Sequence, residues 1–295
     1  MSPVGDRADR AGAPGTVRRM QRSIVHDVHM AINQAHRFVY FVPEMAEECA
    51  AVGVTGRGSY FGPRAAPMGP VPAQVVLATF YNFSPLAVHA GMAGVWDAAS
   101  PAALQGARFR AVRRALTRTG ADLSPAAVDE ARGIVDPVVA ALDLAGKPLA
   151  AGNAAVALPD DPLLALWQQL TVLREWRGDA HIVVLAANQV GPCDCMVLQV
   201  GTGRFPLGIT QATRQWDERQ WAESVERLAA RGWAEPSGAL TALGTAERER
   251  IEDETDRLCE PVWAPVGDAG AVRLGELIAP ITAAMDAAGT YAALA

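Results

Sequence analysis

Apolar residues recur every three or four positions along most of this chain, which is the spacing of amphipathic helices. The pattern predicts helix over residues 17–52, with a break near Pro43, and again over residues 73–82. Two further helices are predicted to begin at Pro101 and Pro125, because a serine precedes each proline and supplies the N-cap. The N-terminal half of the chain is therefore predicted to be helical.

Other stretches predict breaks in this helical pattern. Residues 53–72 are rich in glycine and proline and predict irregular backbone, and residues 145–161 predict a linker. Residues 162–188 predict a long helix that Gly178 interrupts. Residues 195–200 alternate well enough to predict a short strand.

A helix–hairpin–helix order is predicted for the C-terminal part. Residues 214–232 predict a helix pair or one bent helix, with Gly232 at its C-cap. A short hairpin around Pro-Ser-Gly at 236–238 follows, and Thr241 caps a helix over residues 242–258. A helix, a two-stranded wing and a second helix in this order are typical of a winged-helix unit.

Residues 228–251, with the pattern L…RGW…G.LT..G, resemble the winged helix of MarR-type regulators. Over most of its length the chain also resembles an actinobacterial helix-turn-helix family, on YFGPRAAPMGPVPAQVVLATFYN (60–82), REWRGDAH (174–181) and residues 231–256. The resemblance implies a mainly α fold with a small β-wing, in which a MarR-like winged-helix unit packs on a helical N-terminal domain. We expect a disordered N-terminus over 1–16, a helical domain over 17–150 and a winged-helix domain with flanking helices over 160–290.

The charge of this C-terminal unit disfavours DNA binding, because phosphate contacts dominate the affinity of proteins for DNA. Residues 210–260 contain seven arginines and twelve acidic residues. The helix expected to enter the major groove carries Asp217, Glu218, Glu223 and Glu226. Five arginines between residues 108 and 118 could still face a polyanion, but such a run more often pairs with acids elsewhere in the chain.

The composition restricts the compartment, the membrane spans and the cofactors that can be expected. Four cysteines, including the Cys193-x-Cys195 pair, imply buried thiols rather than disulfides, so we expect a cytoplasmic protein. No run of eighteen apolar residues predicts a membrane span. Lys147 is the only lysine and no phosphate-binding glycine loop is present, so no lysine-bound or nucleotide cofactor is expected.

The aromatic-rich segment of the N-terminal part is one candidate ligand site. Polar residues are interleaved with its aromatic rings, as in a mainly apolar pocket with a few convergent polar groups. A plain aromatic core is an equally good interpretation, but a guanidinium at Arg64 on irregular backbone needs an anionic partner. The candidate ligand-binding residues in this segment are His36, Tyr40, Tyr60, Arg64 and Asn82.

The segment 174–181 is the second candidate site. On a helix, Arg174, Arg177 and His181 share one face, and Glu175 and Asp179 lie together four residues apart. A bend at Gly178 would bring His181 to a carboxylate, which is a reasonable acid–base pair. An intrahelical ion-pair face with one structural histidine is the competing interpretation.

His29 and His36 lie seven residues apart on a predicted helix and offer a weak alternative, a metal or haem site without a third ligand. Our leading hypothesis is a small-molecule-binding protein that has lost DNA binding, with non-redox acid–base catalysis in a secondary-metabolite pathway as its enzymatic form. The expected ligand is an organic anion, and no cofactor or membrane is expected. The alternatives are a ligand-responsive MarR-like regulator and an interaction module built on residues 270–288, which could also pair two subunits as a homodimer.

Overall fold

Serine and threonine side chains set where several helices begin. The computed structural model describes residues 23–203 and 206–292. Ser100 accepts a hydrogen bond from the backbone N–H of Ala103 and Ser124 from that of Ala127, each at 3.2 Å. Thr241 caps the helix that starts after it in the same way. These three predicted helix starts are confirmed.

Fifteen α-helices make up most of the described chain. They are α1 (Ile24–Arg37), α2 (Pro43–Ala50), α3 (Gly58–Ala65), α4 (Ala73–Phe80), α5 (Pro85–Met92), α6 (Val95–Ala98), α7 (Pro101–Thr119), α8 (Pro125–Ala140), α9 (Pro148–Ala154), α10 (Pro162–Ala187), α11 (Pro192–Gly201), α12 (Leu207–Arg214), α13 (Glu218–Ala230), α14 (Ala242–Cys259) and α15 (Gly267–Ala287). Three short 3-10 helices lie at Phe38–Tyr40, Ala66–Met68 and Glu260–Trp263. The protein is 74% helical, and the described residues form no β-strand.

The predicted β-wing is therefore wrong, and the fold class is all-α rather than winged-helix. Between α13 and α14, Ala234 and Leu240 form one isolated antiparallel bridge. The two arms of this turn are too short for a ladder, because the second arm ends at once in Thr241, the N-cap of α14. The turn also packs tightly on α14, where a Cβ added to Gly244 would lie 1.8 Å from the carbonyl oxygen of Trp233.

The irregular backbone predicted for residues 53–72 is also wrong in part, because α3 lies inside this segment and contains Pro63. The two glycines within α3, Gly58 and Gly62, allow close packing and do not form turns. A Cβ added to Gly58 would lie 2.8 Å from Val54, and one added to Gly62 would lie 3.0 Å from Val95. Because glycine has no side chain, it lets neighbouring side chains approach the helix backbone closely. The same glycines in the sequence had indicated a break in the helix.

Three further predictions fail for reasons of packing. The predicted strand at 195–200 is part of α11, in which six consecutive residues are buried, so no alternation distinguishes strand from helix. The predicted linker contains α9, and two backbone N–H groups at its start are bound by Asp179, a contact that local sequence does not show. Gly178 does not interrupt α10, which runs unbroken through it.

Helix α10 is the central element, with 17 of its 26 residues buried. Its N-terminal part belongs to a large hydrophobic cluster that also includes α1–α8 and α15. Its C-terminal part, from Val184, belongs to a smaller cluster with α11, α13 and Ile251 of α14. The helix thus joins the two clusters. The predicted domain boundary near residue 150 stays a prediction. The N-terminal segment predicted to be disordered (1–16) lies outside the described residues.

The apolar stripe of α15 is buried within the chain rather than exposed. Leu274, Ile278 and Ile281 are at most 1% exposed, and the helix packs on α1 and α8. An interaction module built on residues 270–288 would need this stripe at the surface, so the burial of these side chains argues against that hypothesis. No single described helix is long and apolar enough to span a membrane, although α10 and α11 meet the length and composition criteria as a pair bent by 102°.

Candidate ligand-binding site

A partly open cavity of about 260 Å³ is lined by residues from both hydrophobic clusters and by one side of α10. It is called the main cavity below. Eight of the ten predicted site residues line it, namely Tyr60, Arg64, Asn82, Arg174, Glu175, Arg177, Asp179 and His181. The other two do not, since His36 stacks on Trp167 behind the cavity wall and Tyr40 lines a separate, smaller cavity.

Glu175 sits between two arginines in the wall of the main cavity. Its carboxylate accepts from Arg64 at 3.2 Å and from Arg174 at a shorter distance. Burial acts to raise the pKa of Glu175, but the charges of Arg174 and Arg64 outweigh it and bring the pKa down to about 2. Glu175 is therefore a fixed negative charge and a poor proton acceptor.

Arg177 links α10 to α14 from the other side of the cavity. Its guanidinium donates to Glu252 at 3.1 Å and to Asp256 at 2.7 Å. Asp256 also lies 3.0 Å from His26 Nδ1 on α1. Three helices are therefore tied together by charge-assisted hydrogen bonds next to the cavity.

Asp179 is a buried carboxyl group with a raised pKa. One oxygen accepts from the backbone N–H groups of Leu149 and Ala150, both at 3.0 Å, at the start of α9. Burial nevertheless outweighs these hydrogen bonds and raises the pKa to about 6. Asp179 thus loses its proton only near pH 6, well above the range of an ordinary aspartate, while lining the main cavity.

The replacement Asp179→Asn is expected to stabilise the protein at neutral pH. A carboxyl whose pKa rises from 3.8 to about 6 on folding destabilises the folded state increasingly as pH rises through that interval. The amide oxygen of asparagine can still accept from α9, so we expect a gain of about 2 kcal/mol at pH 7.5 that disappears below the unfolded pKa. Urea unfolding from pH 4 to pH 8 measures this, and an equal effect at all pH values would contradict the ionisation of a buried group.

His181 does not pair with Asp179 or Glu175, contrary to the predicted bend at Gly178. Its Nδ1 lies 2.9 Å from the hydroxyl of Thr255, which itself donates to the carbonyl of Ile251 at 2.9 Å. The hydroxyl oxygen can then only accept, so neutral His181 carries its proton on Nδ1. Burial lowers the pKa of His181, which leaves Nε2 as an unprotonated base in the wall of the main cavity.

Arg214, at the end of α12, is the most informative residue that sequence reasoning missed. Its guanidinium carbon lies 4.2 Å from the centre of the Phe83 ring, and burial lowers its pKa. Within the part of the chain that the structure describes, it has no acidic partner, and its buried Nε makes no hydrogen bond. The side chain is half-buried, with its Nε fully buried, and a guanidinium placed in this way without a counter-charge is unfavourable.

The lining of the main cavity is positively charged although the chain is not. Its arginines are Arg64, Arg174, Arg177, Arg214 and Arg248, and its carboxyl groups are Glu175, Asp179 and Glu252. Arg64 and Arg174 share one acid, Glu175, and Arg214 has none among the described residues, whereas the whole chain has a formal charge of −6. This local excess attracts an anion.

Backbone strain lies beside the same cavity. Tyr81 has φ 48° and ψ −65°, which is outside the regions that non-glycine residues ordinarily adopt. Its hydroxyl donates to the carbonyl of Val190 at 2.6 Å, so the side chain holds the residue in place. The next residue, Asn82, presents a buried amide oxygen without a hydrogen-bond partner among the described residues. Strain of this kind is typical of ligand sites.

The residues considered for metal or haem binding have other contacts. His29 Nε2 accepts from Trp263 at 3.2 Å, and His36 Nε2 lies 3.4 Å from a nitrogen of Arg108. Among the described residues, no three or more potential ligand side chains are grouped as a metal would require. The four cysteines are free and buried, as predicted.

The surfaces considered for DNA binding carry few unpaired cations. On α7, Arg108 is buried, and the four other arginines pair with Glu44, Glu47, Glu48, Asp122 and Asp161. The prediction that this run pairs with acids in the chain is confirmed for these four arginines and wrong for Arg108. On the candidate recognition helix α13, Arg219 pairs with Glu223 and Arg227 with Asp194, each at 2.7 Å.

Fold and site together define an all-α protein with an arginine-lined cavity, to which α12 contributes Arg214. The profile of a helix-turn-helix family matches residues 25–292, which is most of the chain. The protein belongs to this helix-turn-helix family. Searches of curated proteins and of solved structures found no significant match.

Proposed function

We propose that this protein binds a small organic anion in the main cavity. The observation that carries the proposal is Arg214, a half-buried arginine that lines the cavity, has a fully buried Nε without a hydrogen bond, and has no acidic partner in the described chain. An anionic group of a ligand would supply the missing charge through charge-assisted hydrogen bonds. The excess of arginines in the lining supports the same conclusion.

The volume and lining of the cavity suit a metabolite-sized molecule with an apolar body. About 260 Å³ lies just below the usual range for drug-sized ligands. Phe80, Phe83 and Ile182 offer apolar surface, and the amide oxygen of Asn82 accepts a hydrogen bond. We therefore propose a carboxylate or phosphate ester with an apolar part and at least one hydrogen-bond donor.

Acid–base catalysis on this ligand is the enzymatic form of the proposal. His181 offers an unprotonated Nε2, and Asp179, with its pKa of about 6, offers a proton at slightly acid pH. Glu175 lacks this capacity because its charge is held by two arginines. The proposed roles are proton acceptor for His181, proton donor for Asp179, and anion binding for Arg214 with Arg64 and Arg174.

A thermal-shift panel tests the proposal. It contains small carboxylates and phosphate esters, each beside its neutral amide or alcohol analogue of similar shape. The proposal predicts that at least one anion raises the melting temperature saturably while its neutral analogue does not. A panel in which anions and neutral analogues act alike would contradict it.

The replacement Arg214→Met should have opposite effects on stability and on binding. It removes an unpaired buried cation, so the unliganded protein should melt at a higher temperature. It also removes the partner of the ligand's charge, so calorimetry should show about hundredfold weaker binding, in line with 2–5 kcal/mol for breaking a buried charge pair. The matched control is Arg219→Met, at an exposed arginine paired with Glu223, which should change neither quantity.

A ligand-responsive DNA-binding regulator is the second candidate, and membership of a helix-turn-helix family favours it. Arg177 offers a route for such a response, because it lines the cavity and holds Glu252 and Asp256 of α14. Fluorescence anisotropy with DNA from the protein's own upstream region, at two salt concentrations, separates the candidates. Tight, salt-sensitive binding would favour the regulator, and no binding at low salt would retire it.

A further inference from the structure

A second, smaller cavity of about 90 Å³ lies between α2, α3 and α7. It is called the minor cavity below. Tyr60 and Arg64 line both cavities and so separate the minor cavity from the main one. The space exceeds what one water molecule needs and suits a group of a few heavy atoms. Ala46 is exposed at its rim, so the minor cavity is reached from the surface beside α2.

The hydroxyl of Tyr40 lines this space without a hydrogen-bond partner among the described residues. The ring is well held, because it packs against Tyr60 at 5.1 Å and His36 at 5.6 Å between ring centres. A buried hydroxyl normally finds a partner, since leaving it unpaired costs free energy. Tyr40 therefore points a donor at something that the chain itself does not supply.

Arg108 contributes a buried positive charge to the same space. Its side chain is 2% exposed and contacts only neutral groups, namely Asn153 at 3.3 Å, His36 at 3.4 Å and Thr171 at 3.5 Å. Within the described residues it has no ion pair, and burial lowers its pKa. Arg64, the other cation of this cavity, also has a buried Nε without a partner.

The charges around Tyr40 do not balance. Arg64, Arg108 and Arg174 surround it, and Glu175 is the carboxylate that pairs with two of these three arginines. Asp179 adds a second negative charge near Arg64 only above its pKa of about 6, so at least the charge of Arg108 is left without a counter-charge in a buried region, which is unfavourable unless an anion enters. Water could satisfy the hydroxyl, but it would not supply the missing charge.

We propose that the minor cavity is a second anion-binding site, which takes one carboxylate-sized oxyanion through Tyr40 Oη, Arg108 and Arg64. The oxyanion has two sources, a free small anion or a second acidic group of the ligand in the main cavity. The second source rests on the proposed function, whereas the first is independent of it. In both cases Tyr40 donates to an oxygen of the anion while Arg108 supplies its charge.

The test is a thermal-shift and calorimetric titration with sodium acetate, beside acetamide as the neutral analogue. Ionic strength is kept constant with sodium gluconate, whose anion is too large for this space. The proposal predicts saturable stabilisation by acetate and none by acetamide, with the acetate response at least tenfold weaker in Tyr40→Phe. Tyr40→Phe keeps the ring and removes only an unpaired hydroxyl, so it should fold and melt no lower than the wild type.

Tyr81→Phe is the matched control, because its hydroxyl already donates to Val190. It should lose stability and keep the full response to acetate. If acetate has no effect, the titration is repeated with a dicarboxylate that binds the main cavity, and weakening in Tyr40→Phe then assigns the minor cavity to the ligand's second acid. If Tyr40→Phe changes neither titration, the minor cavity holds water and the proposal is wrong. Retained binding in the main cavity would leave the proposed function standing.

Discussion

Replacing Glu175 with glutamine is expected to lower the free energy of unfolding by about 3–5 kcal/mol, the usual result of leaving buried charges without their partner. The carboxylate lies between Arg64 and Arg174 and is 3% exposed. Glutamine has nearly the same shape, so the change removes charge and little packing. Arg64 and Arg174 would then have no ion-pair partner among the described residues.

The pH dependence of this effect has a definite sign. The folded pKa of Glu175 is about 2, below the model-peptide value of 4.5, so its stabilising contribution is complete above pH 4.5 and is lost as pH falls towards 2. Urea unfolding of the wild type and of Glu175→Gln from pH 3 to pH 8 measures this pH dependence. The control is Glu130→Gln, which breaks an exposed pair with Arg273 and should have a much smaller effect, because solvent screens exposed pairs. Equal effects of the two substitutions would contradict the charge imbalance on which the anion site depends.

The second large effect is expected for Gly244→Ala, near the start of α14. An added Cβ would lie 1.8 Å from the carbonyl oxygen of Trp233, which is backbone and cannot rotate away. That carbonyl also accepts from the N–H of Thr241 at 3.0 Å, so relief of the clash disturbs the N-cap of α14. We expect a loss of about 3 kcal/mol or more in the free energy of unfolding.

The matched control is Gly133→Ala in the middle of α8, where an added Cβ would have no neighbour within 4 Å. That change should stabilise the protein by about 0.5–1 kcal/mol, because alanine favours the helix more than glycine does. Thermal unfolding of the two variants compares the effects directly. If Gly244→Ala were as harmless as Gly133→Ala, the close approach of the turn to α14 would be wrong.

Elements determined by local chemistry could be predicted from the sequence. Serine before proline marks the starts of α7 and α8, and Thr241 marks the start of α14. The prediction of a two-stranded wing was wrong because the same pattern of a glycine, flanking apolar residues and a capping threonine also fits a tight turn with a single bridge. A wing differs from such a turn only in the length of its two strands, and that length depends on how the turn packs against α14.

The candidate site was predictable where its residues share one helix. Arg174, Glu175, Arg177, Asp179 and His181 all come from α10, and helical spacing alone brings them near each other. Arg214 and Glu252 lie on α12 and α14, and only the packing of these helices around the main cavity places them in its wall. No local signal distinguishes Arg214 from the other arginines of the chain.

Anion binding in the main cavity is tested most directly by a crystal structure of the protein with whichever panel anion stabilises it most. We expect the ligand to occupy the main cavity, with its acidic group within hydrogen-bond distance of the Arg214 guanidinium. His181 Nε2 should face the ligand in the same structure. An anion bound elsewhere on the surface, with the cavity holding only water, would contradict the proposed function.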